Sequence, residues 1–141
     1  MSLVRTSLPH LLHIDPNEAD RIALSQAFAK SGALGGLHSL SSASNALLYL
    51  NQLGPFAGLP RPQVIVLDLN LPRCDGREFV EMLKANSRFK DITIVVLMGA
   101  QNDVDRERCR RLGVDHYLEK PRTEEGYIAM IKTLVHEVIK V

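Results

Sequence analysis

Three ionisable residues stand where apolar runs give out. Asp15 follows Leu11-Leu12-His13-Ile14, Asp68 closes Val64-Ile65-Val66-Leu67, and Lys120 follows Val114-Asp115-His116-Tyr117-Leu118-Glu119. An ionisable group that ends an apolar strand is costly unless it is used. Two carboxylates brought together repel one another, which favours a bound divalent cation such as Mg²⁺. A lysine beside them stabilises an ionised carboxylate and can contact a phosphoryl oxygen. A carboxylate can itself attack a phosphoryl donor. If these three strand ends converge, the chemistry they offer is an acyl phosphate on Asp68.

Convergence depends on the elements that carry them. Val64 to Asp68 and Ile92 to Met98 are continuous apolar runs, the pattern of strands buried on both faces. Leu11 to Ile14 is a shorter strand, Leu37 to Leu40 a weak edge strand after Gly35 and Gly36, and Val114 to Glu119 a partly apolar last strand. A helical pattern follows each. The first opens at Asp15-Pro16-Asn17-Glu18, with Asp15 as capping carboxylate, Pro16 at the first helical position and Glu18 three residues after the cap, and ends at Gly32. The second is capped by Ser41 or Ser42, carries Ala46, Leu47, Leu50 and Leu53, and closes at Gly54. The third spans Asp75 to Asn86 with Phe79, Val80, Met82 and Leu83 inward. The fourth spans Asp103 to Leu112 and is very polar. The fifth starts at Thr123 or Glu124 and aligns Ile128, Ile131, Leu134, Val135, Val138 and Ile139, with Met130 and Val141 widening the stripe.

Strand then helix, five times over, predicts an α/β fold: a five-stranded parallel, doubly wound sheet of the flavodoxin-like kind. In such a sheet the first, central and last strand ends meet near the topological switch point, which brings Asp15, Asp68 and Lys120 together.

Composition narrows the class. The chain has 141 residues, 45% hydrophobic and 23% charged, enough for one domain with a real core. We place that domain at residues 9–141, after a leader at 1–8, with no output domain. A net charge of +1 gives no pull toward nucleic acid or a membrane surface. Cys74 and Cys109 show no metal or redox spacing and read as free thiols of a reducing compartment. Without the apolar core of a signal peptide, the start points to the cytoplasm.

The residues Arg61-Pro62-Gln63-Val64-Ile65-Val66-Leu67-Asp68-Leu69-Asn70-Leu71-Pro72 with Asp75-Gly76, and Gly113-Val114-Asp115-His116-Tyr117-Leu118-Glu119-Lys120-Pro121, carry a family resemblance. From Leu11 to Ile139 the chain resembles the receiver domain of two-component response regulators, in particular single-domain receivers of the cyanobacterial phytochrome-partner type. The resemblance implies strand order 2-1-3-4-5, Asp68 as phosphoacceptor, the Asn70 carbonyl as a metal ligand, Lys120 as the phosphoryl contact and Tyr117 as the aromatic switch. It implies Mg²⁺ as cofactor, a histidine kinase and a downstream protein as partners, and no enzymatic activity beyond phosphotransfer to Asp68 and its hydrolysis.

Two positions depart from the family pattern. Receivers place two adjacent acids after the first strand. In the ungapped register, which we prefer, Asp15 is the first and Pro16 replaces the second, which usually ligates the metal; with a loop one residue longer, Asp15 is itself the second acid. Receivers also end the fourth strand with Ser or Thr, where this chain has Met98 followed by Gly99. A thioether cannot donate a hydrogen bond to a phosphoryl oxygen. These departures keep open an atypical receiver that binds partners without phosphorylation.

Several residues have plainer readings. Asp15 reads equally as a helix cap, and Glu18 first as the residue that closes that cap and second as one that could swing toward a metal. Arg106, Arg108, Arg110 and Arg111 read as a solvated face balanced by Asp103, Asp105 and Glu107. The surplus apolar stripe of the last helix is core first, and second a homodimer or partner face made with the fourth helix and fifth strand. His10, His13, His38, His116 and His136 lack ligand spacing. An aspartyl phosphatase would need a second acid where Asn70 stands. A flavin or nucleotide binder would need a Ser/Thr/Gly-rich loop where Asp15 to Glu18 would repel phosphate.

Overall fold

A computed structural model describes residues 8–100 and 102–139. Its elements are β1 (His10–Ile14), α1 (Glu18–Ser31), β2 (Gly36–Leu40), α2 (Ala43–Leu50), β3 (Val64–Asp68), α3 (Gly76–Ala85), β4 (Thr93–Met98), α4 (Asp103–Leu112), β5 (His116–Glu119) and α5 (Glu124–Ile139). The strands form one parallel sheet in the order β2-β1-β3-β4-β5. The predicted fold class and strand order are both observed.

Alternation along β3 explains why its run is apolar throughout. Val64 and Val66 face α1 and α5, in a core with Leu11, Leu24, Ala27, Val95, Leu97, Ile131 and Leu134. Ile65 and Leu67 face the opposite layer, with Leu12, Ile14, Leu50, Phe79, Leu83, Ile94, Val96 and Met98. Successive strand residues point to opposite faces, so a sheet covered on both sides needs apolar residues at every position. No described helix is long and apolar enough to cross a membrane.

Four local expectations are corrected. Asp15 does not cap α1. Its Oδ1 accepts the N–H of Asn17 at 2.9 Å, which turns the chain and delays the helix. Asn17 is the cap, its side chain accepting from the Asp20 N–H, and Pro16 lies outside the helix. Glu18 begins the helix as an exposed residue. Second, α2 stops at Leu50 rather than Gly54. Gln52 takes the left-handed conformation (φ 55°), and the N–H groups of Gln52 and Leu53 return to the Tyr49 and Leu48 carbonyls. Leu53 is consequently exposed. Third, Met82 faces solvent, because Phe79, Val80 and Leu83 define the inner face of α3. Fourth, β5 begins at His116, since the Val114 N–H still closes the end of α4 on the Cys109 carbonyl.

Within α5, Met130, Ile131, Leu134 and Val135 are buried against the sheet and Ile128 is partly buried. Val141, the Val138 and Ile139 side chains, and residues 1–7 of the expected leader lie outside the described residues.

Candidate functional site

Strand register builds the site. Ile14 pairs with Leu67, so Asp15 emerges beside Asp68, which itself pairs with Leu97 on β4. Met98 pairs with Glu119, and the next N–H, that of Lys120, donates to the Met98 carbonyl at 2.7 Å. Three chain segments thereby open on one pocket at the carboxyl edge of the sheet.

The two aspartates are oriented alike. Asp68 Oδ1 accepts the Asn70 N–H at 2.8 Å, as Asp15 Oδ1 accepts that of Asn17. Their Oδ2 atoms face Lys120 Nζ, at 2.9 Å from Asp68 and 3.0 Å from Asp15. A third carboxylate joins them: Asp20 Oδ2 accepts from Lys120 Nζ at 2.7 Å. Asp15 is 1% exposed and Asp68 8%, so the pocket is largely out of water.

Burial opposes the charge on Lys120, but its hydrogen bonds to Asp20 and Asp68 and its ion pair with Asp15 outweigh it and raise its pKa well above the ordinary lysine value. Burial likewise opposes ionisation of Asp15. The His13 ring, the Asn17 N–H and Lys120 overcome that and hold its pKa below the usual carboxylate value. His13 is buried beside it, Nε2 3.6 Å from Asp15 Oδ2 and Nδ1 3.4 Å from Ser39 Oγ.

Lys120 approaches Asp15 Oδ2 as an ion pair, off the hydrogen-bonding direction. That oxygen is buried without a hydrogen-bond partner. Among the described residues no three His, Cys, Asp or Glu side chains already form a metal cage. The carboxylates are instead drawn onto the ammonium. Their chemistry is all-oxygen, which suits a hard cation such as Mg²⁺, and the orphaned Asp15 Oδ2 is an acceptor such a cation would satisfy.

Asp15, Asp68 and Lys120 thus meet as the sequence predicts, and Asn70 stands two residues past Asp68 in the exposed loop. Met98 and Tyr117 do not join the acidic pocket. Met98 is buried in the core under α2, α3 and α4, and Tyr117 packs partly buried against the same cluster. The Arg106 guanidinium lies over the Tyr117 ring at 5.0 Å, and Tyr117 Oη is buried without a hydrogen-bond partner. Asp20 is the site residue that sequence reasoning missed. Its signal was available: with Asn17 rather than Asp15 as cap, Asp20 becomes the third helical residue, in the turn nearest the strand ends.

The loop after Asp68 is tightly shaped. Arg73 takes the left-handed conformation (φ 60°). The Gly76 N–H donates to the Leu69 carbonyl at 3.1 Å, and a Cβ on Gly76 would lie 2.6 Å from the Leu69 Cα and carbonyl oxygen.

The sequence model of the response regulator receiver domain matches residues 11–132. The response regulator Rcp1 of Synechocystis sp. is 33% identical over 122 residues, 86% of this chain and 83% of Rcp1. The probable methanogenesis regulatory protein FilR2 of Methanothrix harundinacea is 32% identical over 128 residues, 91% of this chain and 79% of that protein. Among solved structures, the phosphorylated cyanobacterial phytochrome response regulator RcpA matches with a TM-score of 0.82 at 28% identity, covering 95% of this chain and 96% of its own. The Mn²⁺-bound form of Rcp1 matches with a TM-score of 0.80 at 30% identity, covering 94% and 96%. The chain belongs to the response regulator receiver domain family of two-component signalling.

Proposed function

We propose that this receiver accepts a phosphoryl group from a histidine kinase on Asp68, with Mg²⁺, and signals through a change in its partner surface in the cytoplasm. The observation that carries the reading is the pair of contacts at Lys120 Nζ, 2.9 Å from Asp68 Oδ2 and 3.0 Å from Asp15 Oδ2. Asp68 Oδ1 is held by the Asn70 N–H, so Oδ2 is the nucleophile presented to the pocket. Oδ2 attacks phosphorus, the phosphorus–nitrogen bond of the phosphohistidine breaks, and its electron pair leaves with the imidazole. Lys120 turns from Asp68 to the new phosphoryl oxygens. Asp15, Asp68 and the Asn70 carbonyl would hold the cation, with Pro16 supplying no donor, and bound Mg²⁺ would neutralise phosphoryl charge. The added charge would alter the surface formed by α4, β5 and α5, where a downstream protein or a second copy would bind.

Acetyl phosphate or beryllofluoride with Mg²⁺ tests this. A phosphoryl adduct by intact mass, or pocket resonance shifts, should appear in the wild type and vanish in Asp68→Asn. An adduct that survives Asp68→Asn overturns the acceptor assignment.

A second reading is favoured by Met98, buried and unable to donate where receivers carry a hydroxyl. On it, the domain binds its partner without phosphorylation. Absence of any adduct at millimolar Mg²⁺, with partner capture unchanged in Asp68→Asn, would support that reading instead.

A further inference from the structure

We propose that Asp20 is a ligand of the divalent cation in this pocket, taking the place of the acid that Pro16 cannot supply. The proposal rests on the reading of the Asp68 pocket as a cation-assisted site. Nothing in the sequence spacing pairs Asp20 with Asp68, yet both reach the same atom: Lys120 Nζ is 2.7 Å from Asp20 Oδ2 and 2.9 Å from Asp68 Oδ2. Three carboxylate oxygens from β1, α1 and β3 therefore surround one point.

Two independent features mark that point as short of positive charge. The buried Asp15 Oδ2 has no hydrogen-bond partner. Three carboxylates also share one ammonium, which leaves two negative charges. The nearby Arg21 donates to the Asp15 carbonyl oxygen at 2.7 Å rather than to a carboxylate, and counting it still leaves one. A lysine supplies a single charge, whereas a divalent cation entering among these oxygens supplies two.

Asp20 suits the role better than its neighbours in one respect. Its side chain is 31% exposed, against 1% for Asp15 and 11% for Asp68, so it forms the open side through which a hydrated cation enters. Mg²⁺ keeps several waters and takes one or two carboxylates. Asp20 is held in place by its own N–H, which donates to Asn17 Oδ1 at the start of α1. Asp20→Asn keeps that N–H and the helix cap, and removes only the carboxylate charge.

Mn²⁺ binding, followed by electron paramagnetic resonance with Mg²⁺ competition, reads the effect directly. Wild type, Asp20→Asn, Asp68→Asn, Lys120→Met and the double variant Asp20→Asn/Lys120→Met are compared, each checked for folding by thermal melting. Wild type should bind Mn²⁺ and Asp20→Asn should bind at least about 10-fold more weakly. The same loss should persist in the Lys120→Met background, where Asp20 has no ammonium to anchor. Adding Pro16→Asp to Asp20→Asn should restore affinity. Equal binding by wild type and Asp20→Asn, with loss only in Asp68→Asn, overturns the Asp20 assignment and leaves the pocket reading intact. An Asp20→Asn effect that disappears in the Lys120→Met background reduces Asp20 to an anchor for the lysine and also overturns it. No Mn²⁺ binding by the wild type overturns the cation-assisted reading itself.

Discussion

Asp15 and Asp68 are held as a matched pair at adjacent strand ends. Each ties Oδ1 to the N–H two residues further on, at 2.9 and 2.8 Å, and each turns Oδ2 toward Lys120, at 3.0 and 2.9 Å. The match follows from register, since Ile14 and Leu67 are partners in the sheet. The backbone fixes one oxygen of each carboxylate and frees the other. The pocket is therefore organised whether its central positive charge is an ammonium or a metal ion.

Lys120→Met should expose the cost of that organisation. The variant leaves Asp15, Asp20 and Asp68 facing one another with no cation between them. Breaking a buried charge pair costs about 3 kcal/mol or more, and the half-open Asp20 side keeps this case near the lower figure. A urea titration in the presence of a chelator should show a loss of about 2–3 kcal/mol. Millimolar Mg²⁺ should recover stability in Lys120→Met to a greater extent than it stabilises the wild type.

The same pocket sets a pH window. Asp15 has its pKa lowered in the folded chain, so it stabilises the fold above the ordinary aspartate value of about 3.9, and that contribution is lost as pH falls through its folded value. Lys120 has its pKa raised, so its contribution is complete below about 10.4 and is lost as pH rises through its folded value. Urea midpoints should be flat from about pH 5 to about pH 8, with a falling limb on each side, the alkaline one beginning near the ordinary thiol value of about 8.5 because burial raises the Cys109 pKa. Asp15→Asn should flatten the acid limb only in part, because Asp75 and Asp105 are also held low, by the Arg77 N–H and by the Arg77 side chain respectively. Lys120→Met should flatten the alkaline limb only in part, because burial also raises the pKa of Cys109, Tyr49 and Tyr127.

Gly76→Ala should damage both stability and chemistry. The new Cβ would lie 2.6 Å from the Leu69 backbone, a distance that forces the chain apart. Overpacking of this kind costs about 1–3 kcal/mol, and rigid backbone on the receiving side favours the upper half. Leu69 follows Asp68 directly, so the displacement reaches the Asn70 N–H that orients the carboxylate. A lowered urea midpoint together with slower labelling by acetyl phosphate is the expected result. A normal labelling rate would separate the loop from the chemistry.

Much of this was legible from residue pattern. The runs ending at Asp68 and Met98 are apolar because both faces of those strands are covered, and that pattern needs no tertiary information to read. The cap of α1 was not. Asp15 and Asn17 are both good capping residues, and what separates them in the structure is that Asp15 turns back on the Asn17 N–H and faces Lys120, far along the chain. With Asp15 Oδ1 tied to the Asn17 N–H and its Oδ2 facing Lys120, Asn17 caps the helix and Asp20 lies in the pocket. The early end of α2 escaped for the opposite reason. It is local, but it relies on Gln52 in a conformation that usually signals glycine. Met82 has helical spacing and the right chemistry, yet three neighbours already fill the inner face of α3.

Met98→Thr tests whether the missing hydroxyl limits communication across the domain. Met98 is buried in the same core cluster against which Tyr117 packs, and Lys120 donates its N–H to the Met98 carbonyl, so the position touches both the pocket lysine and the aromatic residue's surroundings. Without a side-chain donor there, the Met98 side chain cannot follow a phosphoryl oxygen on Asp68. In the wild type, beryllofluoride with Mg²⁺ should shift resonances of the pocket and leave the Tyr117 ring signals in place, held by the Arg106 guanidinium over the ring. In Met98→Thr the shifts should extend to Tyr117. The substitution removes buried apolar volume and should cost about 2 kcal/mol of stability by urea titration. Tyr117 shifts of equal size in both proteins would show that the signal reaches β5 without a hydroxyl at this position.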